Sequence, residues 1–258
     1  MAIRGLEAGE CYCSCPDFRT NQIETCKHIL HVQNKLKTRY SKTQLQTPYA
    51  RKRISLSVRY GSQPGLMFNL PHKVPPKVTE IVGDMAGTPA SQAKPVVEAL
   101  TALEQAGHPV TIFPDAEAMV QRQLVQQRLV AECAAIRSDA NNHPLRQELL
   151  SATLMPYQLE GIAFCVGAGR AILADDMGLG KTIQAIGVAE LLARLAGIQR
   201  VLIICPASLK SQWRSEINRF SDRSSQIVMG SGRDRAEQYA SDAFFTICNY
   251  EQVLRDLT

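Results

Sequence analysis

No apolar run in this sequence approaches the ~20 residues that span a bilayer. Nothing of signal-peptide length follows the lone basic residue of Met1-Ala2-Ile3-Arg4-Gly5. Internal repeats and low-complexity tracts are missing too. These absences predict a cytoplasmic protein with no membrane partner, rather than a spanning, secreted or repetitive one. What remains is ordinary for a folded protein, with 45% hydrophobic and 21% charged residues over 258 positions. That length suffices for one or two domains with cores of their own. Nothing in it bears on oligomeric state.

Acidic residues are lacking from one long stretch. Between Thr25 and Thr79 there is no Asp or Glu, against eleven Lys and Arg from Lys27 to Lys77. The whole chain carries a formal +5, so removing those eleven leaves −6 elsewhere. A one-sided basic stretch is the footprint of a polyanion partner, or else a solvated linker.

The spacing of a secreted disulfide scaffold is also absent. Four of the eight cysteines (Cys11, Cys13, Cys15 and Cys26) crowd the first 26 residues. The others (Cys133, Cys165, Cys205 and Cys248) are scattered, three of them in apolar segments. Cys13-Ser14-Cys15, ten intervening residues and then Cys26-Lys27-His28 make a C-x-C…C-x-H arrangement. Three thiolates and one imidazole are a standard tetrahedral set for structural Zn2+, and a C-x-C pair chelates from a tight turn. Cys11 competes with Cys13 for that role, and His31 with His28.

The chain divides into a Cys/His segment at 1–34, a polar basic linker at 35–52 with Pro48 near its end, and patterned sequence beyond. Ile54, Leu56 and Val58 alternate with polar residues as in a strand, and Leu66-Met67-Phe68 and Val110-Thr111-Ile112-Phe113 suit two more. Helical patterns over 91–106 and 115–139 complete a small α+β unit at 53–140, whose role is structural or substrate-positioning. From about 150 the rhythm is βαβ. A helix from Pro156 to about Val166 leads to a strand, Arg170-Ala171-Ile172-Leu173-Ala174, and a Gly-rich turn. A helix from Lys181 to Ala196 is closed by Gly197. Strands at Val201–Ile204, Ile227–Met229 and Phe244–Ile247 alternate with helices at 209–220 and 233–239. The expected class is α/β, a parallel sheet covered by helices on both faces.

Ala174-Asp175-Asp176-Met177-Gly178-Leu179-Gly180-Lys181-Thr182 is the strongest chemical signal. Backbone amides of a Gly-rich turn at a helix N-terminus converge on phosphate, aided by the helix dipole. Gly178 and Gly180 admit close backbone approach. Lys181 is placed to neutralise the β- and γ-phosphates of ATP, and the Thr182 hydroxyl to hold Mg2+. Against the general pattern G-x-x-x-x-G-K-[ST], Asp175 occupies the first glycine position.

The run Asp175 to Ile183 resembles motif I of the Swi/Snf-type ATPases of helicase superfamily two, with Asp176 where Glu is more usual. Leu154 to Gly161 is similar to that family's opening motif, Cys205 to Trp213 to its motif Ia, and Cys248-Asn249-Tyr250-Glu251 to the segment that follows. The resemblance covers about Leu154 to Thr258. It implies a RecA-like lobe over 150–258 in which Gln158 reads the adenine edge and the loop from Asp175 through Met177 and Leu179 to Thr182 cradles the phosphates. Trp213 taken alone is a packing residue. The family's Asp-Glu-Ala-His box does not occur between Glu251 and Thr258. The lobe is therefore expected to be incomplete, with the second lobe and its arginine finger lying outside these residues. The Cys/His cluster, with Pro16-Asp17-Phe18 after its first pair, resembles the SWIM-type zinc finger found before bacterial Swi/Snf-type ATPases.

Together these imply the ATP-binding part of a DNA-dependent ATPase that translocates on double-stranded DNA in a nucleoid-associated setting. A protein or DNA partner contacts the finger through Phe18 and the basic residues from Lys27 to Arg39. Two other readings stay open: a non-hydrolysing, zinc-dependent binding module, and a P-loop ATPase of another kind with a protein substrate.

Overall fold

The computed structural model describes residues 1–7, 9–20, 23–47, 51–61 and 63–256. The chain forms two compact units, 1–124 and 125–258.

In the first unit, β1 (Ala2–Ile3) pairs antiparallel with β2 (Cys11–Tyr12), followed by α1 (Pro16–Thr20) and α2 (Lys27–Arg39). Their small core is Cys11, Cys13, Phe18, Cys26 and Ile29. A further short helix, α3 (Lys42–Gln46), begins with a capping box: Ser41 Oγ accepts from Gln44 N–H at 3.2 Å, and Gln44 Oε1 accepts from Ser41 N–H at 2.9 Å. Much of the linker expected at 35–52 is therefore helical, because this reciprocal cap satisfies the first turn. Pro48 lies outside the described residues.

The α+β part consists of β3 (Ile54–Arg59), β4 (Gly65–Asn69), α4 (Pro76–Val82), α5 (Ala93–Gln105), β5 (Val110–Ile112) and the start of α6 (Pro114–Ser138). The sheet order is β4-β3-β5, with β3 antiparallel to β4 and parallel to β5. Ile54, Leu56 and Val58 join Leu66, Phe68, Val96 and Leu103 in its core.

Polar contacts fasten the Cys/His segment to this sheet. Arg4 Nη2 and Nη1 donate to the two carboxylate oxygens of Asp115 at 2.6 and 2.8 Å, and Tyr60 Oη–H donates to the same carboxylate at 3.2 Å. The guanidinium lies 4.6 Å from the Phe113 ring centroid. Tyr12, Phe18 and Tyr60 form an aromatic trio with centroids 5.2 to 6.3 Å apart. Gly9, at φ +79°, accepts from Tyr60 N–H at 2.9 Å, and a Cβ there would fall 2.0 Å from Tyr60 O. Only glycine fits so close an approach.

The second unit adds α7 (Leu145–Glu148), α8 (Pro156–Ala168), α9 (Lys181–Ala196), β6 (Val201–Ile204), α10 (Lys210–Phe220), β7 (Ser225–Ile227), α11 (Gly232–Tyr239), β8 (Phe245–Cys248) and α12 (Tyr250–Asp256). Its sheet is parallel throughout, in the order β6-β8-β7. Val201, Ile203, Phe245 and Ile247 share one face and pack into the core with Ile186, Leu191 and Ile217. Leu129, Cys133 and Ile136 of α6 belong to this core as well. The units accordingly part within α6 at 124/125 and not near 140.

One expectation for this unit changes. Arg170–Ala174 forms no strand, and Ile172 is 89% exposed. A strand needs a ladder partner, and among the described residues none pairs with 170–174 or with the outer edge of β6. The parallel sheet is flanked by helices as expected, and Leu202 and Ile204 of its edge strand β6 are exposed. No helix among the described residues is long and apolar enough to cross a membrane.

The Asp115 side chain is 1% exposed and that of Arg4 13%. Removing one member of such a pair strands the other's charge, so Asp115→Ala should cost about 3–5 kcal/mol. The measurement is urea unfolding of the 258-residue chain.

Candidate functional site

In the second unit, α9 begins where the Gly-rich loop ends. Gly180 is its N-cap, at φ +80° and ψ +40°, and Gly178 has φ +89°. These left-handed conformations cost a side-chain-bearing residue roughly 1–2 kcal/mol, which is why glycine stands at both positions. The free amides of the first turn of α9 make an anion-binding end. Lys181 Nζ donates to the main-chain oxygens of Asp175 and Asp176 at 2.8 and 3.0 Å, so its ammonium lies against the loop. Thr182 is the second residue of α9 and half-buried.

Gln158 is buried on α8. Its Oε1 accepts from Met155 N–H at 3.0 Å, and its Nε2 donates to Leu179 O at 3.3 Å. Tyr157 Oη–H donates to the same carbonyl at 3.3 Å. Gln158 is thus brought to the loop, between Leu179 and the approach to Gly180, where an added Cβ would fall 2.6 Å from its Nε2. Met177 projects outward at 88% exposure.

Of the other quoted motifs, Cys205 is buried, Trp213 packs half-buried against the core, and Lys210 Nζ donates to Val228 O at 3.0 Å. Cys248 is buried, and Tyr250 opens α12 with an exposed ring. Sequence reasoning passed over Gln184, which is fully buried on α9 and donates to Asp175 Oδ2 at 2.7 Å. The available signal was a polar residue among the apolar, core-facing positions of the helix.

In the first unit the ligand atoms of Cys13, Cys15, Cys26 and His28 all lie within 4.8 Å of one another. His28 Nδ1 is 3.9 Å from the sulfurs of both Cys13 and Cys26. Tetrahedral zinc with Zn–S near 2.3 Å sets its ligand atoms roughly 3.8 Å apart, so the donor set fits this ion. Phe18 N–H donates to Cys15 Sγ at 3.4 Å, and this bond lowers the Cys15 thiol to about 7 despite opposing desolvation. Burial pushes the Cys13 thiol up. Cys11 stands apart: its Sγ–H donates to Gly5 O at 3.2 Å, and it accepts from Gln33 Nε2 at 3.7 Å. His31 is not in the cluster.

A parallel sheet, a Gly-rich loop opening a helix and a lysine at its first position give the second unit the arrangement of a P-loop fold. Residues 157–257 match the family described as SNF2-related domain. Over 103 residues the chain is 35% identical to the SWI/SNF-related matrix-associated actin-dependent regulator of chromatin subfamily A-like protein 1 homolog of Caenorhabditis elegans, covering 39% of this chain and 14% of that protein. Over 128 residues it is 38% identical to the chromatin-remodeling ATPase INO80 of Pyricularia oryzae, covering 43% of this chain and 7% of that protein. A solved Sulfolobus solfataricus SWI2/SNF2 ATPase core in complex with dsDNA is 33% identical, with a TM-score of 0.38, over 42% of this chain and 24% of that one. The chain thus spans 14% or less of the length of the two curated relatives. Residues 157–257 thus carry the chain's likeness to SNF2-related proteins.

Replacing Gly180 by alanine tests the loop conformation directly. The positive φ and the 3.0 Å approach of Ile183 Cγ2 to an added Cβ should lower stability by about 1–2 kcal/mol. Thermal unfolding should register this as a lower Tm.

Proposed function

We propose that this chain supplies the ATP-binding front of a motor that translocates on double-stranded DNA and carries a zinc-stabilised module ahead of it. The observation that carries the reading is the Lys181 ammonium seated on the Asp175 and Asp176 carbonyls at the N-terminus of α9. There it would neutralise the β- and γ-phosphates of ATP, the Thr182 hydroxyl would hold Mg2+, and Gln158 would read the adenine. The names of the chromatin-remodelling relatives and the acid-free stretch from Thr25 to Thr79 support DNA as the polymer.

Cys13, Cys15, Cys26 and His28 are the proposed Zn2+ ligands, in a SWIM-type finger. Four protein ligands leave no open position, so the ion would be structural. Hydrolysis also requires groups that activate water and stabilise charge on the γ-phosphate. The acidic box that provides part of this in the family is not in these 258 residues. The 258-residue chain by itself should therefore bind MgATP weakly without appreciable turnover; brisk phosphate release, with or without DNA, would refute this.

A second reading has a specific observation behind it. The Cys/His segment and the β4-β3-β5 sheet share the unit 1–124, as expected of a zinc-dependent DNA- or protein-binding module. Salt-sensitive DNA binding indifferent to ATP would favour that reading.

Two variants separate the sites. Lys181→Ala should abolish MgATP binding at unchanged zinc content. Cys26→Ser should lower zinc below one equivalent while MgATP still binds. Metal analysis and ATP titration check both, and loss of both properties from a single substitution would contradict the assignment.

A further inference from the structure

Asp175 brings a carboxylate to the first position of a loop that must receive polyanionic phosphate, where the general pattern has glycine. Gln184, one turn into α9, donates its amide Nε2–H to Asp175 Oδ2 at 2.7 Å. The Gln184 side chain is fully buried, and its amide oxygen has no hydrogen-bond partner among the described residues. Turning the amide over would set that oxygen against the carboxylate, so this orientation is the one the chemistry requires. A buried orphan acceptor is costly and calls for a reason; here the reason is the bond to Asp175.

Two features of α8 agree. Gly161 makes room for the amide, since a Cβ there would fall 2.2 Å from Gln184 Oε1. Cys165, also on α8, has its thiol pushed up first by burial and then by the Asp175 charge. Lys181, meanwhile, takes the main-chain oxygens of Asp175 and Asp176.

We propose that Gln184 is a positioning residue for nucleotide binding: it holds the Asp175 carboxylate on the α8 side, away from the incoming phosphates. The side-chain bond thereby replaces what the absence of a side chain achieves in the general pattern. This inference rests on the reading of Asp175–Thr182 as a phosphate loop, and the experiment separates the two.

MgATP is titrated into the zinc-loaded 258-residue chain as wild type, Gln184→Leu, Asp175→Gly and the double variant. Loss of a hydrogen bond to a charged group should weaken binding to Gln184→Leu between about ten- and a hundredfold. In the Asp175→Gly background no carboxylate needs holding, so the same substitution should change Kd by less than about twofold. Gln184→Glu keeps the shape and sets two carboxylates at hydrogen-bond distance, which resist joint ionisation. Lys181, Asp176 and Cys165 are titratable groups beside Asp175. Below the pH at which the pair loses its shared proton, Asp175 stays held; above it, repulsion releases Asp175 toward the phosphates. ATP affinity of Gln184→Glu should therefore fall, relative to wild type, as pH rises from about 6 to 8. Should Gln184→Leu fail to fold, this isosteric variant decides. Equal losses in both backgrounds, or a pH profile for Gln184→Glu parallel to wild type, would overturn the inference alone. A folded wild type that binds no MgATP would overturn the phosphate-loop reading, and this inference with it.

Discussion

Everything the second unit presents to a phosphate depends on where α9 starts and how firmly it is held. Gly180 ends the loop in a left-handed conformation and begins the helix in the next residue. The first-turn amides and Lys181 follow from that single backbone choice. The helix is fixed in turn by close packing on α8, where Gly187 lets Ile162 approach so nearly that a Cβ would lie 2.4 Å from its Cδ1. Ile186, Ala189 and Leu191 of α9 are buried in the core as well. A loop hung between α8 and α9 inherits their rigidity, and the amides of Gln158 and Gln184 hold it at both ends.

The first unit rests on a different kind of constraint. Among the described residues, its hairpin and short helices share a core of five buried residues, three of them cysteine. So small an apolar core supplies little stability. The Arg4–Asp115–Tyr60 network and the aromatic trio extend it into the neighbouring sheet. A metal bound by Cys13, Cys15, Cys26 and His28 would tie α1 and α2 to the turn after β2. The Cys/His segment is consequently one piece with the α+β sheet.

Local features were legible in the sequence. The span of α9, from Lys181 to the cap at Gly197, is fixed by glycines at both ends and by the apolar stripe between them. The four clustered ligands are legible because each pair is two residues apart in sequence, so little tertiary structure is needed to bring each pair's atoms together. The alternation in β3 showed a strand for the same reason: period two is a property of a few successive residues.

What the sequence determined alone is the set of motifs whose geometry closes within a few residues: the Gly-Leu-Gly-Lys-Thr turn, the C-x-C and C-x-H pairs, and the helices they border. Tertiary structure decided the rest. It excluded Cys11 from the cluster, since Cys11 bonds Gly5 instead, and paired Arg4 with Asp115 across 111 positions. It divided α6 between two cores and left Arg170–Ala174 without a ladder. It also brought Gln184 back onto Asp175. Each of these depends on which distant surface is available to satisfy a buried polar group or an unpaired backbone, and no local pattern carries that information.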